Sequence, residues 1–130
     1  MKTPITYYGG KQLMLKHILP MIPDHVVYTE VFLGGGAVFW SKRPSKIETI
    51  NDINDFVINF YEQLKLNFNE LQERIDLSLV SRSQHHKALD IWHNPERNGS
   101  MVRAWAFWML ANFSFASKLG GGLKYSNEQN

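Results

Sequence analysis

Tyr7, Lys11, Glu30 and Asp52 are the side chains in this sequence whose types and spacing point most directly to chemistry. Each stands beside glycines or at a strand end: Tyr7 and Lys11 flank Gly9-Gly10, Glu30 precedes Gly34-Gly35-Gly36, and Asp52 follows Asn51. An ionised carboxylate accepts hydrogen bonds and donates none, so one such group can take both hydroxyls of a ribose. In nucleotide-binding folds the acidic residue that does this lies about 20 positions past a glycine turn, where Asp52 falls. Lys11, at the start of a helix, suits a ligand carboxylate. Tyr7 offers a face to a flat or cationic group.

These side chains need elements to carry them. Val26 to Val31 reads as a short buried strand, Gly34 to Gly36 as a turn, and Ala37 to Lys42 as a short apolar helix ended by Pro44. A strand that passes through glycines into a helix brings backbone amides close to a ligand at the helix N-terminus. A Cβ there would block the approach, and glycine alone takes positive φ cheaply. Gly34 and Gly36 supply the first two glycines of a dinucleotide fingerprint, but its last position falls on Phe39. The signal is therefore a nucleotide-like ligand at a strand-to-helix turn. A plain tight turn also fits this stretch, as a helix cap fits Asp52, a solvated charge Lys11 and core strand residues Tyr7 and Tyr8. Their coincidence at matching strand ends favours the ligand, because open parallel sheets bind at the carboxyl ends of their strands.

Upstream, Ile5-Thr6-Tyr7-Tyr8 is β-prone and Lys11 to Leu19 reads as a helix stopped by Pro20, with Leu15, Ile18 and Leu19 on one side. Downstream, Ile47 to Asn51 alternates like a strand. Asn54 or Asp55 then caps a helix carrying Phe56, Val57, Phe60, Tyr61 and Leu64. The order β, α, β, α, β, α predicts an α/β fold, a partial doubly wound (Rossmann-like) sheet over residues 1-66. Residues 67-130 read as a helical segment: Asn69 to Leu79, Gln84 to His93, and an apolar helix from Met101 that must be buried. Since no further strand follows Asn51, strand counting predicts that the sequence is part of a larger protein.

The totals fit one modest domain: 130 residues, 44% hydrophobic and 13% aromatic. A net charge of +2 does not by itself argue for nucleic acid. The absence of cysteine excludes disulfides and thiolate zinc sites. The N-terminus lacks the apolar core of a signal peptide, and the longest apolar run, Ala104 to Ala111, is under half of the roughly 20 residues that span a bilayer. A soluble, cytoplasmic chain is expected.

Three ordered motifs in the first half closely resemble those of the Dam-type DNA adenine-specific methyltransferase family. They are Tyr7-Tyr8-Gly9-Gly10-Lys11, then Glu30-Val31-Phe32-Leu33-Gly34-Gly35-Gly36, then Asn51-Asp52-Ile53-Asn54, continuing to Asn59-Phe60-Tyr61. The resemblance implies S-adenosylmethionine as methyl donor and no metal. It implies a cofactor pocket of Tyr7, Gly9, Gly10, Lys11, Phe32 and Ile53, with Glu30 and Gly34 to Gly36 about the methionine part and Asp52 holding the ribose. A cleft sized for an adenosyl group would separate Asp52 from the amides beside Gly35. It further implies methylation of the exocyclic amine of adenine in double-stranded DNA, which requires base flipping, in a bacterial or phage enzyme of the kind paired with a restriction endonuclease.

One departure matters. The family holds the flipped adenine with an Asp-Pro-Pro-Tyr motif, and no Pro-Pro pair occurs here. No catalytic residue is assigned, and these residues alone are expected not to transfer a methyl group. The rival readings are a catalytically dead module that keeps a cofactor or DNA surface, and a small-molecule methyltransferase or other nucleotide binder. For DNA contact, the loop after the apolar helix offers Asn112, Ser117, Lys118, Lys124 and Tyr125, polar and basic groups suited to phosphates. His85, His86 and His93 read as a surface helix, and Lys42, Arg43 and Lys46 as a solvated turn.

Overall fold

Residues 2–124 are described by the computed structural model, and among them two strands and six α-helices form. β1 (Val27–Glu30) and β2 (Ile47–Ile50) pair in parallel, with Val27 opposite Ile47 and Glu30 opposite Ile50. Their β-branched and aromatic residues suit a pleated surface. One face carries Val27 and Ile47, 56% and 53% exposed, and is open. The other carries Tyr28, Glu30 and Ile50, with Glu30 buried and Tyr28 and Ile50 half-buried, and the chain then runs into α2 (Ala37–Ser41), which buries Ala37 and Val38.

The expected third strand at Ile5 to Tyr8 does not form. Ile5 is pulled into the core, Thr6 donates its amide to the Asn112 side chain, and the chain turns as Gly10 N–H donates to Tyr7 C=O. The predicted helix over Lys11 to Leu19 is broken into a 3-10 turn (Lys11–Met14), one helical turn α1 (Leu15–Ile18) and a second 3-10 turn through Pro20 (Leu19–Met21). No side chain caps its start, and Pro20 cannot donate an amide.

After β2, α3 (Asp55–Leu66) is capped by Asn54, whose side chain accepts the Phe56 amide. α4 (Phe68–Asp76) ends before Leu79, which is exposed, so of the expected Leu71, Ile75 and Leu79 stripe only Leu71 is fully buried. α5 (Arg82–His93) is capped by Ser81. α6 (Ser100–Phe113) is the central helix and is buried nearly all round, as its composition predicts. Ala104, Phe107 and Ala111 pack towards α3 in one cluster with Ile5, Leu33, Val57, Phe60, Tyr61 and Leu71. Ala106, Met109 and Leu110 pack towards α5 with Ala88 and Ile91. Alanines at these positions let the neighbouring helices approach closely, while the large side chains between them fill the interior. No helix among the described residues is long and apolar enough to cross a membrane.

Candidate functional site

The three sequence motifs converge: Tyr7 and Lys11 of the first meet the glycine turn and Glu30 of the second, and Asp52 of the third is bonded to that turn. One of its carboxylate oxygens accepts the Gly34 amide at 2.8 Å and the other accepts the Asn54 amide at 2.9 Å. Nearby, Leu33 N–H donates to Asn51 C=O at 3.0 Å, so the end of β2 is laced to the turn that follows β1. The expected cleft between Asp52 and the glycine amides is thereby corrected: carboxylate and amide touch. Each carboxylate oxygen has more than one acceptor direction, so both keep capacity for a further donor.

Glu30 lies 7% exposed at the end of β1. Its Oε2 accepts the Tyr28 hydroxyl at 3.0 Å, while Lys11 Nζ stands 3.0 Å from Oε1 and donates to Phe32 C=O at 2.5 Å. Lys11 and Glu30 Oε1 thus form an ion pair, and no further donor reaches that buried oxygen among the described residues. Burial, aided by the bond to Glu30, raises the Tyr28 phenol well above its ordinary range. A depression of about 260 Å³ opens here, lined by Lys11, Tyr28, Glu30, Phe32 and Val38 among others.

The turn is packed to the limit of what glycine allows. A Cβ on Gly35 would lie 3.0 Å from Tyr7 Cβ, and one on Gly34 would lie 3.3 Å from the Tyr7 ring. Gly36, at φ +75°, begins α2, and a Cβ there would meet Trp40 at 2.9 Å and the Tyr61 hydroxyl at 3.0 Å. That hydroxyl donates to Gly35 C=O at 2.8 Å, and burial pushes the phenol up to about 12. Tyr61 is thus a structural member of the site beyond the assigned set. The available signal was a tyrosine on the buried face of α3, whose hydroxyl needs a partner. Phe32 and Ile53 are 75% and 93% exposed beside the turn, apolar groups left bare at its rim. Gly9 adopts φ +68° with open space around it.

The loop after α6 is closed at its base. Phe115 N–H donates to Gly122 C=O and Lys124 N–H to Phe113 C=O, both at 2.7 Å. Lys118 and Lys124 are exposed, whereas the half-buried Asn112 side chain is bonded to Thr6 and Trp108. Ala116 and Ser117 both sit at φ 54°, a left-handed conformation that side chains other than glycine and asparagine disfavour. Tyr125 lies outside the described residues.

Two surface expectations are corrected. His85 is 1% exposed and its Nε2 bonds the buried Ser114 hydroxyl at 3.0 Å, so this face of α5 is core. Lys42 is buried too, paired with Glu48, bonded to Ser45 Oγ and stacked 4.2 Å over the Tyr28 ring. Ser114 and the Tyr28 ring are too far along the chain from His85 and Lys42 to be read locally. Among the described residues no group of three or more histidine, aspartate or glutamate side chains could hold a metal ion.

Burial lowers the His85 pKa below its ordinary 6.5, so under acid the unfolded chain binds a proton that the folded one resists. Stability is therefore expected to fall as pH drops below 6.5 towards the lowered folded value. Glu48, lowered chiefly by its hydrogen bond from Lys42, adds a second loss as pH falls below 4.5. Urea midpoints at pH 7.5 and 5.5 check the first step. The wild type should lose more than His85→Gln, and equal losses would contradict the assignment.

The chain belongs to the D12 class N6 adenine-specific DNA methyltransferase family, whose model matches residues 7–116. It is similar to the type II methyltransferase M1.LlaDCHI of Lactococcus lactis subsp. cremoris, 42% identical over 66 residues, which is 50% of this chain and 23% of that protein. It is also similar to the type II methyltransferase M.FokI of Planomicrobium okeanokoites, 34% identical over 65 residues, 49% of this chain and 10% of that protein. The matched stretch thus spans less than a quarter of either relative.

Proposed function

We propose that these residues form the S-adenosylmethionine-binding part of a DNA adenine methyltransferase, with the cofactor at the rim built by Tyr7, Gly9 to Lys11, Glu30 to Gly36 and Asp52-Ile53. The observation that carries the reading is the junction of Asp52 with Gly34, 2.8 Å apart, at the parallel strand ends where such sheets bind nucleotides. The donor set fits the group. Asp52 has acceptor capacity for ribose hydroxyls, and the bare Phe32 and Ile53 suit the flat base. Buried Glu30 Oε1, paired here with the Lys11 ammonium, suits a ligand ammonium, while Lys11 suits a carboxylate. An amino acid zwitterion would exchange for the existing Lys11–Glu30 contact, leaving both charges compensated.

When bound, S-adenosylmethionine supplies an electrophilic methyl group on a sulfonium. The chain's own residues orient it: Asp52 fixes one end, Glu30 and Lys11 the other, and the Tyr7 ring with the glycine turn shapes the space between. Residues 1-66 would thus hold the donor, and residues 67-130 would lead towards target recognition. Exposed Lys118 and Lys124 support contact with double-stranded DNA phosphates, which position a protein without reading sequence.

The Rossmann-like sheet is part of the same proposal. Parallel sheets are covered on both faces, and two strands alone are marginal. The bare Val27 and Ile47 face therefore supports further strands and helices from a larger enzyme. The type II relatives support a place in a restriction-modification system and hence in the cytoplasm.

The 130 residues contain no Pro-Pro pair to hold a flipped adenine. Incubated alone with DNA and methyl-labelled cofactor, they are expected to give no labelled DNA. Turnover by this chain alone would overturn the division of labour proposed here.

A further inference from the structure

We infer that Asn112 is a positioning residue for the cofactor site, not a group facing DNA, an inference that rests on the cofactor reading above. The segment carrying Tyr7 belongs to no strand or helix, yet it packs so closely on the turn that an added Cβ on Gly34 would lie 3.3 Å from the Tyr7 ring and one on Gly35 3.0 Å from Tyr7 Cβ. Apolar packing anchors it on either side. Ile5 is 1% exposed, and the Tyr7 ring centre lies 6.3 Å from that of Phe107. Such packing is non-directional and does not fix the rotation of the backbone between the two anchors.

A directional bond does. Asn112 Oδ1 accepts the Thr6 amide at 3.1 Å across 106 positions of sequence. The same side chain donates from Nδ2 to Trp108 C=O, one turn back on α6, at 2.9 Å. Because the Trp108 carbonyl can only accept and the Thr6 amide can only donate, the amide group has one orientation that satisfies both. α6 thus holds Asn112 rigidly, and Asn112 holds the backbone one residue before Tyr7. Immediately after, Gly10 N–H closes onto Tyr7 C=O at 3.0 Å, so the tyrosine is fixed from both sides. Loss of the Asn112 acceptor frees Thr6, and the ring that shapes the glycine turn loses its register.

Calorimetric titration of the full chain with S-adenosylmethionine tests this, together with amide exchange at Thr6 and thermal melting. Asn112→Leu, which matches the shape without an acceptor, is expected to weaken binding about fivefold, the worth of one ordinary intramolecular hydrogen bond, and to speed Thr6 exchange. Asn112→Asp keeps an acceptor for Thr6 and is expected to recover most of the affinity. A purely structural role would lower the melting temperature without that rescue. If the leucine variant does not fold, Asn112→Ala takes its place in the comparison. Unchanged affinity in folded Asn112→Leu or Asn112→Ala overturns the positioning role and leaves the cofactor site standing. Absence of binding by the wild type overturns the cofactor reading itself, and this inference with it.

Discussion

Replacing Asp52 with alanine is expected to weaken S-adenosylmethionine binding by about 100-fold or more, because hydrogen bonds to a charged group contribute roughly 1.5–3 kcal/mol each. Two losses combine. The ribose hydroxyls lose their acceptor, and the Gly34 and Asn54 amides lose theirs. Asp52→Asn separates the contributions, since it keeps one carbonyl acceptor but no charge. It is expected to fall between wild type and alanine, with a lowered melting temperature, because its NH2 would face one of the two backbone N–H groups that the carboxylate accepts. Calorimetry on the three proteins reads the series directly. Affinity unchanged in Asp52→Ala would remove the ribose assignment.

The second large effect is on stability. Phe107 is fully buried on α6 and touches Phe60 of α3, ring centres 5.6 Å apart, as well as Tyr7. Phe107→Ala is expected to cost about 3–5 kcal/mol, the usual range for removing a buried phenyl ring. Small domains have about 5–15 kcal/mol in all, so this variant stands near or past its unfolding limit at ambient temperature. Urea unfolding measures the difference, and a cost under about 1 kcal/mol would mean that α6 is not the central packing element. Because Phe107 also supports Tyr7, a folded Phe107→Leu variant should bind cofactor less tightly than the wild type. The core and the site are one packing problem.

What the sequence disclosed is what local chemistry decides. The strand before Glu30, the glycine turn, the strand ending at Asn51 and the Asn54 cap follow from neighbours a few positions apart. The wholly apolar face of α6 likewise declares its burial. What it hid depends on distant partners. Ile5 to Tyr8 has strand-forming residues, yet the core takes Ile5 and Asn112 takes the next amide. His85 sits in a polar run, Arg82 to Lys87, and is buried because Ser114 waits 29 positions later. Lys42 looks solvated beside Arg43, but Glu48 and the Tyr28 ring enclose it. Asp52 follows the strand end that the alternating pattern indicates, while its direct bond to Gly34 depends on the turn's final shape.

That bond gives the site its logic. The carboxylate that is proposed to hold the ribose also fixes the turn that approaches the rest of the ligand, so the two halves of the pocket cannot move apart independently. Tyr61 from α3 and Tyr7 from the N-terminal segment brace the same turn from its other sides. A preorganised turn loses little conformational freedom on binding, which favours affinity without added contacts.

Titration of the unaltered chain with S-adenosylmethionine in a calorimeter tests this account most directly. Saturable binding at one site per chain is predicted, competed by S-adenosylhomocysteine and accompanied by slowed amide exchange at Gly34 to Gly36. Heats no different from dilution, with exchange at the glycine turn unaltered, would contradict it.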